Sequence, residues 1–552
     1  MLRSPRIAAL LCAALACLAA TASNLKAQAT QANRMQKRWF FVWRDMSDPK
    51  EVDRLIARLP AAHAAGYNGV AFSYNVPAAK APELREAAKK NGIALVAIVM
   101  GGNRDKNYAE GLLSKDALFT AANGQLQFVP DNPTKLNNAD FESARGDHMN
   151  GWGFQDDEGV TTFSDHQVVH GGTASLRMES FGKNQYQHTR IAQPIKLQPQ
   201  RQYHISVWVK TQDLVGAVPE VKVLSGKDGT SVSFQSFHCE RTQDWKKYDL
   251  CFNSMNCTDA NIYLGTWSGK SGKMWWDDLK VEEMALVNVL RRPGCPLTVR
   301  AEDGTVYTEG KDYAKVVDYN LHPWIAYHDP AVIRTMEGSR IKEGQKLRVS
   351  WYHPIICYED RITSCISEEK IFDDWKLEIQ EADKLLHPAA FLMSHDEMRT
   401  MNQCALCQSK KMTAGELLAW NVHRAAAIIR TARPDAEIWV WNDMFDPMHN
   451  AIDQYYAVNG TLAGSWKGLD KDVGIVNWHG GLNGKNCPFF ANLGLKQILS
   501  GYYDGDEDGS GIAGWITATR GVNGIVGAMY TTWEDKYDAL TPWAKKAWGT
   551  SR

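Results

Sequence analysis

The chain has 552 residues, 44% hydrophobic and 23% charged, with 62 Lys+Arg against 63 Asp+Glu. That length accommodates roughly three to four domains, or fewer if one is a large barrel. A formal net charge of −1 excludes the basic excess expected of a nucleic-acid binder, and the ordinary apolar fraction excludes a disordered chain. The 20 Trp, 19 Tyr and 17 Phe fit either a large core or surfaces that stack on sugar rings.

Arg3 and Arg6 precede an apolar run over 7–20, and Ala20, Thr21 and Ala22 are small residues suited to cleavage. This is the pattern of an export leader over 1–22. The run is short for a membrane span, and no later stretch reaches the length a span requires. The mature protein is therefore expected to be periplasmic or secreted, with no membrane span. Cys12 and Cys17 leave with the leader. An oxidising compartment favours disulfides among the remaining cysteines, and their odd number leaves at least one unpaired. Cys357, Cys365, Cys404 and Cys407 alternatively suit a four-thiolate zinc site. Both readings stay open.

The mature chain opens on alternating strands and helices. The apolar run 38–43 has the character of a strand buried on both faces. Asp48 and Pro49 then start a helix in which Val52, Leu55, Ile56 and Leu59 recur at helical spacing. Gly66 and Gly69 break it, and strands follow at 70–74 and 93–100 with a helix between them. This rhythm predicts a parallel sheet. It stops after about residue 110. From 137 to 284 short alternating segments separated by Gly, Asp and Asn predict a β-sandwich. Asp140, Glu142, Trp152, the run His170 to Leu176, the run Tyr203 to Thr211, and Trp275-Trp276-Asp277-Asp278-Leu279 resemble a carbohydrate-binding jelly roll of the galactose-binding-like superfamily. A bridging segment covers 285–345. Parallel strands resume at 347–352, 390–394, 437–441, 473–478, 497–500 and 525–530, with a clear helix at 414–432. The expected fold is thus α/β: a (β/α)8 TIM-type barrel, built from 34–110 and 346–552, interrupted by an all-β jelly-roll sandwich. Nine strands are candidates for the eight places; 347–352 is one candidate for the surplus strand, and the sequence leaves the choice open.

Active sites of such barrels lie at the C-terminal ends of the strands. His395, Asp396 and Glu397 follow one strand; Asn442 and Asp443 follow the strand ending in Trp441. Trp478 and His479, then Tyr502 to Asp504, then Trp533, Glu534 and Asp535 follow three others. Neither a serine elbow nor a phosphate-binding glycine loop occurs at any of them. Carboxylates beside aromatics suit glycoside hydrolysis, which needs an acid for the leaving oxygen and a group to stabilise the oxocarbenium-like centre.

In their order these motifs resemble the catalytic barrel of family 20 glycoside hydrolases, the β-N-acetylhexosaminidases. Asp396-Glu397 resembles that family's acidic pair, Trp441 to Asp443 its next strand end, Trp478 a later wall, Tyr502 its catalytic tyrosine, Trp533-Glu534 its terminal Trp-x-Glu, and Arg38 its substrate-gripping arginine. The residues before Asp396, the absent N-terminal α+β domain and the inserted jelly roll depart from the family. The resemblance implies substrate-assisted, retaining removal of N-acetylhexosamine from a glycan. Glu397 would be the general acid, Asp396 would hold the acetamido N–H, and Tyr502 its oxygen. Arg38, Trp441, Asp443, Trp478, Trp533 and Glu534 would bind substrate, with no metal or cofactor. Two alternatives remain: a retaining glycosidase whose nucleophile is Glu534 or Asp443, and a non-catalytic glycan-binding protein.

Overall fold

The computed structural model describes residues 34–101, 106–356, 362–502 and 504–549. The expected leader and Cys357 lie outside the described residues. Eight strands close into a parallel barrel: β1 (Lys37–Val42), β2 (Gly69–Ser73), β3 (Ala94–Val99), β4 (Ala390–Met393), β5 (Glu437–Trp441), β6 (Val473–Asn477), β7 (Gln497–Ser500) and β8 (Ile525–Tyr530). The ring closes where β8 pairs in parallel with β1, Trp39 lying opposite Met529.

Among the described residues, seven helices of nine residues or more accompany the strands: α1 (Pro49–Ala64), α2 (Ala81–Lys90), α3 (Glu369–Leu386), α4 (Ala414–Ala432), α5 (Asn483–Asn492), α6 (Ser510–Ala518) and α7 (Leu540–Trp548). The Asp48 side chain caps α1 by accepting from the Lys50 N–H, and Thr413 with Glu416 forms a capping box on α4. Between β5 and β6 the chain makes two 3₁₀ turns and a two-residue strand, Ala457–Val458, in place of an α-helix. Pro447, Gly460, Gly464 and Gly468 interrupt any longer helix there.

Side-chain alternation sorts the barrel into two layers. Trp39 and Phe41 point inward with Leu392, Trp439, Trp441 and Met529. Phe40 and Val42 point outward into the packing of α1, α2 and α7. Trp39 and Trp439 meet edge to face, centroids 5.4 Å apart. Their neighbours must be glycine: a Cβ at Gly69 would lie 2.4 Å from the Trp39 ring and one at Gly474 2.3 Å from the Trp439 ring. The interior is a packed core, not a channel.

The segment 137–284 forms two five-stranded antiparallel sheets around a core that includes Trp152, Tyr203, Phe252 and Trp276. A third unit was not expected from the sequence. Strand Leu112–Ala122 pairs antiparallel with Lys346–His353, and strands from 125–128, 298–301, 306–307 and 333–334 complete a six-stranded sheet. The ninth candidate strand therefore lies in this accessory sheet, and the barrel resumes at α3 and β4, not at 346. Only one face of Lys346–His353 is covered over its first six residues: Leu347, Val349 and Trp351 are buried, while Lys346, Arg348 and Ser350 are not. Barrel strands β4 and β6 are buried throughout, as a sheet covered on both faces requires.

The sandwich docks onto the accessory sheet through buried polar contacts. Arg201 pairs with Glu283 at 3.0 Å and donates to the Asp116 carbonyl at 3.0 Å. Asn253 Nδ2 donates to the Leu113 carbonyl and to His353 Nε2, each at 3.0 Å. His353 is wholly buried, and desolvation lowers its pKa to about 4, so it acts as a neutral acceptor.

Candidate active site at the barrel mouth

A cavity of about 330 Å³ opens at the C-terminal ends of the strands. Asp396 and Glu397 both line it, together with Phe41, Trp43, Trp441, Trp533, Trp324, Thr363 and Ser364. Adjacent residues leaving a strand would normally point to opposite sides. Here Glu397 adopts φ +46°, a left-handed conformation uncommon for a non-glycine residue. The turn brings both carboxylates to the same space. Strain of this kind costs on the order of 1–3 kcal/mol and persists only where the surroundings enforce it.

The enforcing group is Asp443. It is wholly buried, and its Oδ2 accepts from the Glu397 backbone N–H at 2.8 Å and from Asn450 Nδ2 at 2.9 Å. Burial, then the charge of Asp396, pushes its pKa up to about 7, against the hydrogen bonds from Glu397, Asn450 and Trp478. Asp443 thus acts behind the acidic pair, as a clamp on the turn. Arg399 donates to Glu397 Oε1 at 2.7 Å, and the guanidinium lies over Tyr456 at 5.1 Å. His395 is buried, with Nε2 hydrogen-bonded to Asn421 at 3.0 Å; desolvation lowers its pKa to about 4.

The aromatic wall is continuous. Phe41 meets Trp441 at 5.8 Å and Trp533 at 5.0 Å, and Trp43 meets Trp533 at 5.2 Å. Trp533 is fixed by its backbone N–H, donated to Asp504 at 2.6 Å.

Of the nine expected site residues, four line the cavity: Asp396, Glu397, Trp441 and Trp533. The other five lie elsewhere. Arg38 sits near the N-terminal end of β1 with the outward parity of Phe40; it donates to the Met35 carbonyl and lies over Trp548. Tyr502 is buried in the layer outside the barrel, stacked on Tyr530 at 4.2 Å. Glu534 is exposed and pairs with Lys536. Asp443 lies beneath the acidic pair rather than at the cavity surface. Trp478 packs against the interior core and meets His449 at 4.5 Å. Sequence reasoning missed Arg399, Trp43 and Trp324. Arg399 stands two residues after Glu397 and Trp43 directly follows β1, so both were within reach. Trp324 arrives from the bridging segment with no local signal.

Asp443 gives a stability prediction. Its folded pKa is raised, so the folded state holds a proton that the unfolded chain releases near pH 4. Stability from this group is then present below about pH 4 and falls as pH rises toward about 7. Asp443→Asn keeps an acceptor for the Glu397 N–H and cannot ionise. Urea midpoints measured from pH 4 to 7 should fall less steeply in this variant than in the wild type. Parallel slopes would refute the assignment.

Residues 134–273 match the family described as "Carbohydrate binding domain". This is about a quarter of the chain, and it coincides with the two-sheet sandwich. Similar solved structures include a family 16 carbohydrate-binding module, 18% identical, covering 26% of this chain and 97% of that chain with a TM-score of 0.20. A CBM4 structure is 20% identical over 27% of this chain and 100% of its own, TM-score 0.22. TmCBM61 in complex with β-1,4-galactotriose is 14% identical over 27% and 97%, TM-score 0.21. No curated protein matches. Among the described residues, no helix is long and apolar enough to cross a membrane.

The residues that carried the jelly-roll resemblance hold turns in place. Glu142 accepts from the Thr173 and Ala174 backbone N–H groups, and Asp277 accepts from that of His170. Trp152 and Trp276 are core. They specify the fold of a carbohydrate-binding domain at 134–273, and that domain supports glycan as the binding partner of this chain.

Proposed function

We propose that the protein is an exported glycoside hydrolase that removes N-acetylhexosamine from glycans, built on a (β/α)8 TIM-type barrel in which one helix is replaced by 3₁₀ turns. The carrying observation is the pair Asp396 and Glu397, brought into one aromatic-walled cavity by the left-handed turn at Glu397. Glu397 is the general acid toward the glycosidic oxygen. Asp396 orients the acetamido N–H while the substrate's own carbonyl closes on C1, the substrate-assisted exception to the two-carboxylate scheme. Trp441 and Trp533 wall the sugar and exclude water. The carbohydrate-binding sandwich would hold the polymer near this mouth.

Placement of the rival nucleophiles favours this route over an enzyme nucleophile. Glu534 is exposed and paired with Lys536, and Asp443 lies buried behind the acidic pair. Neither is among the residues lining the cavity. Tyr502 has no part in this version of the mechanism, because its ring is committed to Tyr530. Purified protein assayed on chromogenic glycosides should turn over 2-acetamido sugars and leave their 2-hydroxy counterparts nearly untouched. Equal turnover of both would remove substrate assistance, and turnover of neither would remove the hydrolase reading.

A further inference from the structure

Beside the cavity, four buried side chains converge from three separate stretches of chain. One ligand atom each from Glu110, Cys365, Cys404 and Cys407 lies within 4.8 Å of the others. Cys365 Sγ is 3.6 Å from Cys404 Sγ and 3.7 Å from Cys407 Sγ. Cys407 Sγ is 3.6 Å from Glu110 Oε2. A tetrahedral zinc ion with ordinary bond lengths sets sulfurs about 3.8 Å apart, and a sulfur and a carboxylate oxygen about 3.5 Å apart. The observed spacings are those edges. One disulfide would use two of the three thiols and leave the third buried beside Glu110.

The surroundings are arranged for a bound cation. Glu110 Oε1 accepts from the backbone N–H groups of Gln403 and Cys404, each at 2.8 Å, which turns Oε2 toward Cys407. Oriented ligands of this kind are the usual outer support of a metal site. Three thiolates and a carboxylate exceed the charge of a divalent ion. Arg292, nearly wholly buried and paired with Glu368 at 3.2 Å, also interacts electrostatically with Glu110, Cys365 and Cys404 and offsets part of the surplus. Its guanidinium is held by the carbonyls of Asn107 and Ala109, each at 3.1 Å.

We propose that Glu110, Cys365, Cys404 and Cys407 form a closed structural zinc site that ties together the loops of the barrel mouth. Glu110 lies in the segment after β3, and its N–H donates to the Thr363 carbonyl at 2.8 Å. Cys365 directly follows Thr363 and Ser364, which line the cavity. Cys404 and Cys407 begin and lie within the short helix Ala405–Ser409 that follows the Asp396 to Arg399 turn. All four protein ligands are supplied, so no position is left open for substrate, as in structural rather than catalytic sites. The site stands on its own geometry, whatever reaction the mouth performs.

The test uses the full chain, exported by its own leader and purified without chelators. Elemental analysis should find one zinc per chain, and the cobalt-substituted protein should show sulfur-to-metal charge transfer and the visible bands of a tetrahedral thiolate site. Cys404→Ser and Cys407→Ser should each lower bound metal at least tenfold and lower Tm. Cys295→Ser should keep the metal: this thiol neighbours Cys404 but lies outside the four-atom set. Metal-free wild type with a mapped disulfide among Cys365, Cys404 and Cys407 would overturn the site. So would full metal content in both variants, and loss of metal from Cys295→Ser with retention in Glu110→Gln would overturn the ligand set. Metal count and cobalt spectrum are read on the wild type, so the result does not depend on any variant folding.

Discussion

Glu397→Gln is expected to lower turnover of N-acetylhexosaminides with poor leaving groups by about 10²–10⁴-fold, the usual worth of a general acid. On an aryl glycoside whose leaving group needs little protonation, the loss should be much smaller. The fold should survive, because what holds the turn is the Glu397 backbone N–H on Asp443, which glutamine retains. The amide also remains a neighbour for Arg399. Circular dichroism and the thermal midpoint check that point, and kcat on paired substrates checks the chemistry. Equal losses on both substrates would mean that Glu397 positions the sugar and that the proton comes from elsewhere.

The barrel was legible because strands buried on both faces are continuous apolar runs, and β1, β3 and β6 stand out as such. The surplus strand carried a signal that the sequence reading left unused: Leu347, Val349 and Trp351 alternate with Arg348 and Ser350, a half-buried pattern unlike that of a barrel strand. The accessory sheet was not foreseen, since its partners are up to about 240 residues apart and two of its strands are two residues long. No local pattern announces such pairings.

The site was legible at the level of strand ends and illegible beyond them. Motif order placed Asp396, Glu397, Trp441 and Trp533 at one mouth. It could not say on which side of the backbone each later residue would emerge. Arg38 was assigned by likeness, although its parity with Phe40 already pointed it outward. Tyr502 sits past the end of β7, where alternation no longer constrains direction, and the outer layer took its ring. The bend at Glu397 leaves no trace in residue type, because it depends on Asp443, 46 residues away. The thiol cluster shows the same limit. Cys404 and Cys407 were recognisable as a pair, but Glu110 entered only when the chain closed over 294 residues.

The mechanism itself is separated by two inhibitors. A substrate acetamido group acting as nucleophile passes through a bicyclic intermediate, and a thiazoline analogue of the sugar mimics it. Such mimics bind 10²-fold or more tightly than substrate. The analogue's ring nitrogen would face Asp396. Burial and the neighbouring charge favour the protonated form of Asp443, and Asp396 is the member of the two that lines the cavity. Asp396→Asn replaces the carboxylate with an amide and should weaken thiazoline inhibition at least tenfold while leaving binding of the product sugar nearly unchanged. A 2-fluoro glycoside should form no adduct, since Asp443 is enclosed and Glu534 is turned to solvent. Mass spectrometry of the intact and digested protein reads this directly. A covalent sugar on any carboxylate, combined with thiazoline binding no tighter than product, would transfer the nucleophile from the substrate to the protein and make Asp396, the carboxylate beside Glu397 in the cavity, the first position to examine.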